Sequence, residues 1–226
     1  MNYTESYFIK LFKNNINYKN IFGFDGILID ELKTSSGIPD LILVNKNNFN
    51  EIKKYNSFFS LKGLNNQHAR ILSIISNSFH TPQYLISKSN IDEKRFRILI
   101  RDLLKSKIII ENVKGLLKLN NEFNIPQVDF WSLEFKLHDW KSAIRQSITY
   151  RSFSRFVIVI MPYQKEKVLR KNSIYFRKFG IGCAIFSPEK RKVQYIVKPS
   201  KINKISRRTY IDLLGRVALQ DLIVPI

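Results

Sequence analysis

The chain has 226 residues, 44% hydrophobic and 13% aromatic, enough to bury one good core, or one core and a small second module. No apolar run approaches the ~18 residues of a membrane span, and Cys183, the single cysteine, excludes an intrachain disulfide and zinc sites built from several thiolates. A formal charge of +20 needs a polyanionic partner or an unusual tolerance of self-repulsion.

The distribution of that charge narrows the partner. Residues 1–63 carry +2, residues 64–120 carry +6, and residues 121–140 carry −3. Residues 141–220 hold nineteen basic side chains against three acids. A Lys-rich surface from biased composition would also raise the charge. Arg is plentiful after position 141, however, and its planar fork suits phosphate, which favours nucleic acid. The mixed N-terminal segment, with Glu5 and Lys10, reads as lacking a signal-peptide core. A reducing cytoplasm is the expected location, with no membrane contact.

In chain order, Tyr3 to Asn14 has Tyr7, Phe8, Leu11 and Phe12 at helical spacing. Ile27 to Leu32 reads as a strand, Thr34-Ser35-Ser36-Gly37 as a turn, and Asp40 to Val44 as the returning strand. Residues 45–63 read as a polar, Asn-rich connection. Helices are then expected over Gln67–Phe79, from Thr81-Pro82, and over residues 92–106, followed by a hairpin from Ile108 to Leu119 turning at Lys114-Gly115. Three helices and a two-stranded wing resemble a winged helix-turn-helix, over roughly residues 64–120. The pattern resumes with strand Phe130–Lys136, helix Asp139–Phe153, strand Phe156–Met161, a helix over about Lys165–Phe179, strands at Cys183–Phe186 and Val193–Val197, and a closing helix from about Arg207 to Leu219.

Two strings carry the chemistry. Gly37-Ile38-Pro39-Asp40 puts a carboxylate at the mouth of an apolar strand, and Ser132-Leu133-Glu134-Phe135-Lys136 puts a carboxylate and an ammonium on one strand face. Asp40 and Glu134, brought together, can hold a hard divalent cation, Mg²⁺ or Mn²⁺, with the Phe135 carbonyl as a third oxygen. Lys136 would hold the attacking water or the scissile phosphate. Asp129, five residues before Glu134, falls on the other face of a regular strand and ranks below Asp40. After Glu134 comes a helix with Gln146 and Tyr150 four apart, on one face.

Together these strings resemble the PD-(D/E)XK nuclease superfamily, and the strand–helix–strand succession looks like its RecB-like branch. The resemblance implies an α/β fold with a restriction-endonuclease-like mixed central sheet flanked by helices. That domain would be discontinuous, residues 1–63 and 121–226, interrupted by the winged helix-turn-helix of residues 64–120. It also implies Asp40, Glu134 and Lys136 as catalytic, with Glu5, Glu31, Gln146 and Tyr150 supporting. The expected activity is metal-dependent hydrolysis of phosphodiester bonds in DNA, in a restriction, mobile-element or defence setting by association only. Phosphate contacts fall to Lys141, Arg145, Arg151, Lys190, Arg191 and Lys192. A recognition helix offers Lys94, Arg95, Arg97 and Arg101, with Lys114 and Lys118 on the wing. Cleaving both strands would favour a homodimer. Two alternatives stay open: a non-catalytic winged-helix DNA-binding regulator on a nuclease-like scaffold, and an RNA- or structure-directed nuclease. No Gly-Lys-Ser/Thr phosphate loop occurs, so no ATP-driven motor is encoded in the chain.

Overall fold

The computed structural model describes residues 4–220; Tyr3, where the first helix was expected to begin, lies outside the described residues. In chain order the elements are α1 (Glu5–Asn15), α2 (Tyr18–Phe22), β1 (Gly26–Asp30), β2 (Leu41–Asn45), α3 (Lys46–Phe59), α4 (Asn66–Leu72), α5 (Pro82–Ser89) and α6 (Glu93–Lys105). There follow β3 (Ile109–Glu111), β4 (Leu117–Leu119), β5 (Phe130–Phe135), α7 (Trp140–Tyr150), β6 (Phe156–Pro162), α8 (Glu166–Lys171), α9 (Ser173–Lys178), β7 (Gly182–Ser187), β8 (Lys192–Val197) and α10 (Arg207–Ala218).

The chain is mixed α/β and divides into two compact units. One takes the residues up to Asn48 with Val128–Ile205; the other takes Phe49–Gln127 and the residues from Ser206 onward. The expected borders at 63/64 and 120/121 differ from these, and α10, expected in the α/β domain, belongs to the second unit. The reason is packing. Arg208 donates to Asn66 Oδ1 at 2.6 Å and Tyr210 donates to the Pro126 carbonyl at 2.7 Å. A Cβ at Gly215 would lie 2.4 Å from the Leu64 carbonyl oxygen, so only glycine permits that approach.

The first unit is built on a six-stranded sheet in the order β1-β2-β5-β6-β7-β8. Neighbours are antiparallel at both ends and parallel across β5-β6-β7, whose connections run through α7 and through α8–α9. Phe8 and Phe12, four apart on α1, bury themselves with alternate residues of successive strands: Leu41 and Leu43, Leu133 and Phe135, Ile158 and Ile160, Ala184 and Phe186. The rings of Phe12 and Phe135 meet edge to face at 5.0 Å. The residues between them, Ser132, Glu134, Val157, Val159, Met161, Cys183 and Ile185, are buried on the opposite face. Helix α7 buries Ala143, Ile144, Ser147 and Tyr150, one stripe of its surface. Cys183 is a buried apolar residue, as its strand implied.

Two stretches depart from the expected secondary structure in ways that matter. The Asn-rich connection of residues 45–63 contains α3, with Phe49 and Ile52 fully buried; tertiary burial overrides the poor helix propensity of asparagine. The helix expected over Gln67–Phe79 stops at Leu72, where Ser76 and Ser78 hydroxyls bond one another at 2.7 Å and Ser76 reaches His80 at 2.8 Å. Such local side-chain bonding competes with the helix.

In the second unit, His80 bridges antiparallel to Leu117, laying an isolated β-bridge against the β3–β4 hairpin. Helix α5 is capped by Thr81 with Pro82 in its first turn, and α6 by Asp92. Among the described residues, no helix is long and apolar enough to cross a membrane.

Candidate active site

Strand register assembles the site. Leu41 pairs with Leu133 and Ile42 with Ser132, so one step further along the same register sets Asp40 across from Glu134. Directly opposed residues share a sheet face with Cβ atoms about 4.5–5.5 Å apart. Asp40 is half-buried, and its Oδ2 accepts the Phe135 backbone N–H at 2.7 Å. Burial raises its pKa, against the Phe135 N–H and the Lys136 charge, and the charges of Glu5 and Glu31 add to the rise.

Glu134 is 1% exposed. Burial, then the Asp40 charge, raises its carboxyl to about 7, despite Lys136 and the Tyr150 hydroxyl. Its two oxygens differ. Oε2 lies 2.9 Å from the Tyr150 hydroxyl. Oε1 is buried without a hydrogen-bond partner, although Lys136 Nζ stands 3.3 Å away as a charge partner.

Lys136 Nζ also donates to Glu5 Oε2 at 3.1 Å. Burial alone would lower the Lys136 pKa, but the bond to Glu5 and the charges of Glu134, Glu5 and Asp40 outweigh it and raise the pKa. Lys136 is therefore a fixed cation, suited to stabilising negative charge rather than to accepting a proton. Glu5, at the start of α1, enters the site as its partner.

Tyr150 explains the Gly37-Ile38-Pro39-Asp40 string. Its hydroxyl lies 3.0 Å from the Ile38 carbonyl as well as 2.9 Å from Glu134. One hydroxyl proton satisfies only one of these acceptors. Gly37, with φ of 133°, packs against the ring; a Cβ there would lie 2.9 Å from Tyr150 Cε1. Sequence reasoning assigned this glycine only to a turn, and its contact with Tyr150 has no signal in the string itself.

The other expected residues fall at varying distances from this centre. Glu31 is exposed in a left-handed conformation, φ 40°, with its N–H on the Asp40 carbonyl at 3.0 Å, and acts on Asp40 through its charge. Gln146 is exposed on α7. Asp129 is occupied elsewhere, 2.8 Å from Lys201 and 3.5 Å from Arg155. Lys141 lies over the Trp140 ring, Arg145 is exposed, and Lys190, Arg191 and Lys192 are exposed at the β7–β8 turn. Arg151 is half-buried, and its Nε is buried without a hydrogen-bond partner. In the second unit, Lys94, Arg95, Arg97 and Arg101 are exposed on α6, with Arg95 donating to Gln67 and Arg97 to Glu93. Lys114 is exposed in the hairpin turn, and Lys118 reaches Asn121.

A scan against protein-family models finds no match, and no curated protein is significantly similar to the chain. Among the described residues, no group of three or more His, Cys, Asp or Glu side chains is placed to hold a metal ion. What the first unit does hold is a pair of opposed carboxyls, an ammonium and a tyrosine hydroxyl at one end of a sheet. An open cleft of about 550 Å³ reaches Asp40 but not Glu134, Lys136 or Tyr150, and is lined also by Ser6, Lys10, Lys13, Asp30 and Glu31 among others.

Proposed function

We propose that this protein is a metal-dependent endonuclease that hydrolyses phosphodiester bonds in DNA. In this reading its first unit has the restriction-endonuclease-like fold of the PD-(D/E)XK superfamily, and its second unit contains a winged helix-turn-helix. The observation that carries the proposal is the register placing Asp40 opposite Glu134, with Lys136 two residues beyond Glu134 and 3.3 Å from it.

The donors fit a hard cation. Glu134 Oε1 is a buried oxygen without a hydrogen bond, and the Asp40 carboxyl is its neighbour across the ladder. Two carboxylates suffice for Mg²⁺, which keeps several waters and completes its shell with substrate phosphate, so a cluster of three acidic side chains is not required. When bound, a divalent cation would supply Lewis-acid polarisation of a phosphoryl oxygen. The chain's own residues do the rest. Phe135 N–H fixes the Asp40 carboxyl, Tyr150 orients Glu134, and Glu5 holds the Lys136 ammonium where charge grows on the phosphate. The cleft beside Asp40 gives a backbone room to approach.

Substrate choice follows from charge. The winged-helix reading of the second unit is supported by the succession α4, the His80 bridge, α5, α6 and the β3–β4 hairpin. Its α6 presents four exposed basic side chains, the equipment of a helix that enters the major groove.

The test is incubation with supercoiled plasmid in Mg²⁺, in Mn²⁺ and with chelator. Nicked or linear DNA is expected with either metal and not with chelator. Intact plasmid under all three conditions would contradict nuclease activity and leave a DNA-binding protein.

A further inference from the structure

A pocket of about 150 Å³ opens in the first unit beside the β7–β8 turn, lined by Tyr163, Glu166, Ile185, Ser187, Lys190, Lys192 and Gln194. Its place relative to the candidate active site follows from sheet register. The β5–β6 ladder, continued one residue past Phe135–Ile160, sets Lys136 beside Met161. Met161 pairs with Ile185, and Ile185 with Gln194. Lys136, Met161, Ile185 and Gln194 thus form one cross-strand row on one face of the sheet. Ser187 and Lys192, themselves paired, are two residues further along. Three strand spacings of ~4.8 Å put the far end of the row about 14 Å from Lys136.

The pocket is chemically one-sided. Glu166 is neutralised by Arg170, 2.8 Å away. Ser187 bonds Glu189 at 3.1 Å, outside the pocket lining. The Lys190 and Lys192 ammoniums make no ion pair among the described residues. Between them, Arg191 occupies the left-handed region, φ 47°, at a turn position where Gly or Asn is the unstrained choice. The turn accepts that strain and keeps three consecutive basic residues.

We propose that this pocket is an anion subsite that takes a single backbone phosphate of the bound nucleic acid. The inference rests on nucleic acid being the substrate and adds a fixed second contact to it. Lys190, Lys192, Tyr163 and Gln194 line a volume suited to one phosphate group, beside the Glu166 carboxylate that pairs with Arg170.

The test uses full-length protein with a fluorescent DNA duplex in chelator, so its outcome does not depend on cleavage. Equilibrium affinity is measured across a salt series for wild type, Lys190→Gln/Lys192→Gln and Tyr163→Phe. These side chains are exposed, and circular dichroism checks that the fold is retained. If both lysines serve one phosphate, the double variant lowers the slope of log affinity against log salt by about 0.9. Tyr163→Phe weakens binding severalfold without changing the slope. A slope change near 1.8, meaning two separate phosphates, overturns the single-phosphate pocket, as does no change at all. Unaltered affinity in Tyr163→Phe also overturns it. If wild type cleaves no DNA yet shows the expected slopes, the nuclease reading fails and this subsite stands.

Discussion

Asp40, the residue before β2, falls across from Glu134 where the β2–β5 ladder is continued one step past Leu41–Leu133, although the two are 94 positions apart in the sequence. Backbone register, rather than a flexible loop, sets their spacing, and each is held by a further bond, Asp40 by the Phe135 N–H and Glu134 by Tyr150. Such rigidity is what a preorganised site requires.

The Glu134 carboxyl has a pKa of about 7 in the native state, raised from 4.5 by burial and then by Asp40. The native protein therefore retains a proton that the unfolded chain releases, and stability falls as pH rises from 4.5 to 7. Below 4.5 the cost is absent; above 7 it is complete, about 3 kcal/mol. Glu134→Gln should remove it. Urea unfolding of metal-free wild type and variant should show the variant more stable by up to that amount at pH 8, with the difference shrinking towards pH 4.5. A pH-independent difference would show that Glu134 does not titrate as described.

Tyr150→Phe should destabilise the protein by about 1–2 kcal/mol, through lost bonding at Ile38 and Glu134. It should also raise the Glu134 pKa further, since the Tyr150 hydroxyl lowers it. Gly37→Ala should cost more than about 1 kcal/mol, because its φ of 133° and the 2.9 Å approach to Tyr150 both exclude a Cβ. Carboxyl titration by NMR and thermal unfolding check the two variants.

Removal of residues 64–120 alone should not leave a well-behaved protein. The face of α10 that buries Tyr210, Ile211, Leu213, Leu214 and Val217 loses α4 in that deletion. Joining Asn48 to Val128 through a short linker and stopping at Ile205 should instead give a cooperatively folded first unit. Circular dichroism, thermal melts and size-exclusion chromatography of both deletions compare them directly. A soluble, cooperative 64–120 deletion would contradict this division.

Charge reversal at Lys141 or Arg145 should weaken binding to all DNA sequences alike and reduce the salt slope by about one contact each. Arg97→Glu should change the preference between sequences, if α6 reads the major groove. Competition binding with a randomised duplex pool separates the two outcomes. Sequence-blind losses from both would make α6 a non-specific clamp.

Much of this was legible in the sequence. The apolar runs of β2, β5, β6 and β7 gave their strands to within one or two residues, and the pairing of Asp40 with Glu134 and Lys136 followed from the two strings. The helix α3 was not, because its Asn-rich surface hides the spacing of Phe49, Ile52 and Phe59. The attachment of α10 was not legible either, since an amphipathic stripe shows that a helix packs but not against what. The helix expected over Lys165–Phe179 breaks between Lys171 and Ser173, where Asn172 sits at φ −103°, ψ 10°. The Tyr150–Ile38 bond was invisible because it ends on a backbone carbonyl.

The most direct test is single-turnover cleavage of plasmid DNA in Mg²⁺ by Glu134→Gln. The substitution keeps the side chain's size and should stabilise the metal-free fold at neutral pH, so lost activity cannot be ascribed to unfolding. A preorganised charged group in an active site contributes about a hundredfold or more to the rate. The variant should therefore cleave at least about a hundredfold more slowly than wild type while binding DNA as tightly or more tightly. Cleavage at the wild-type rate would contradict the assignment of this site.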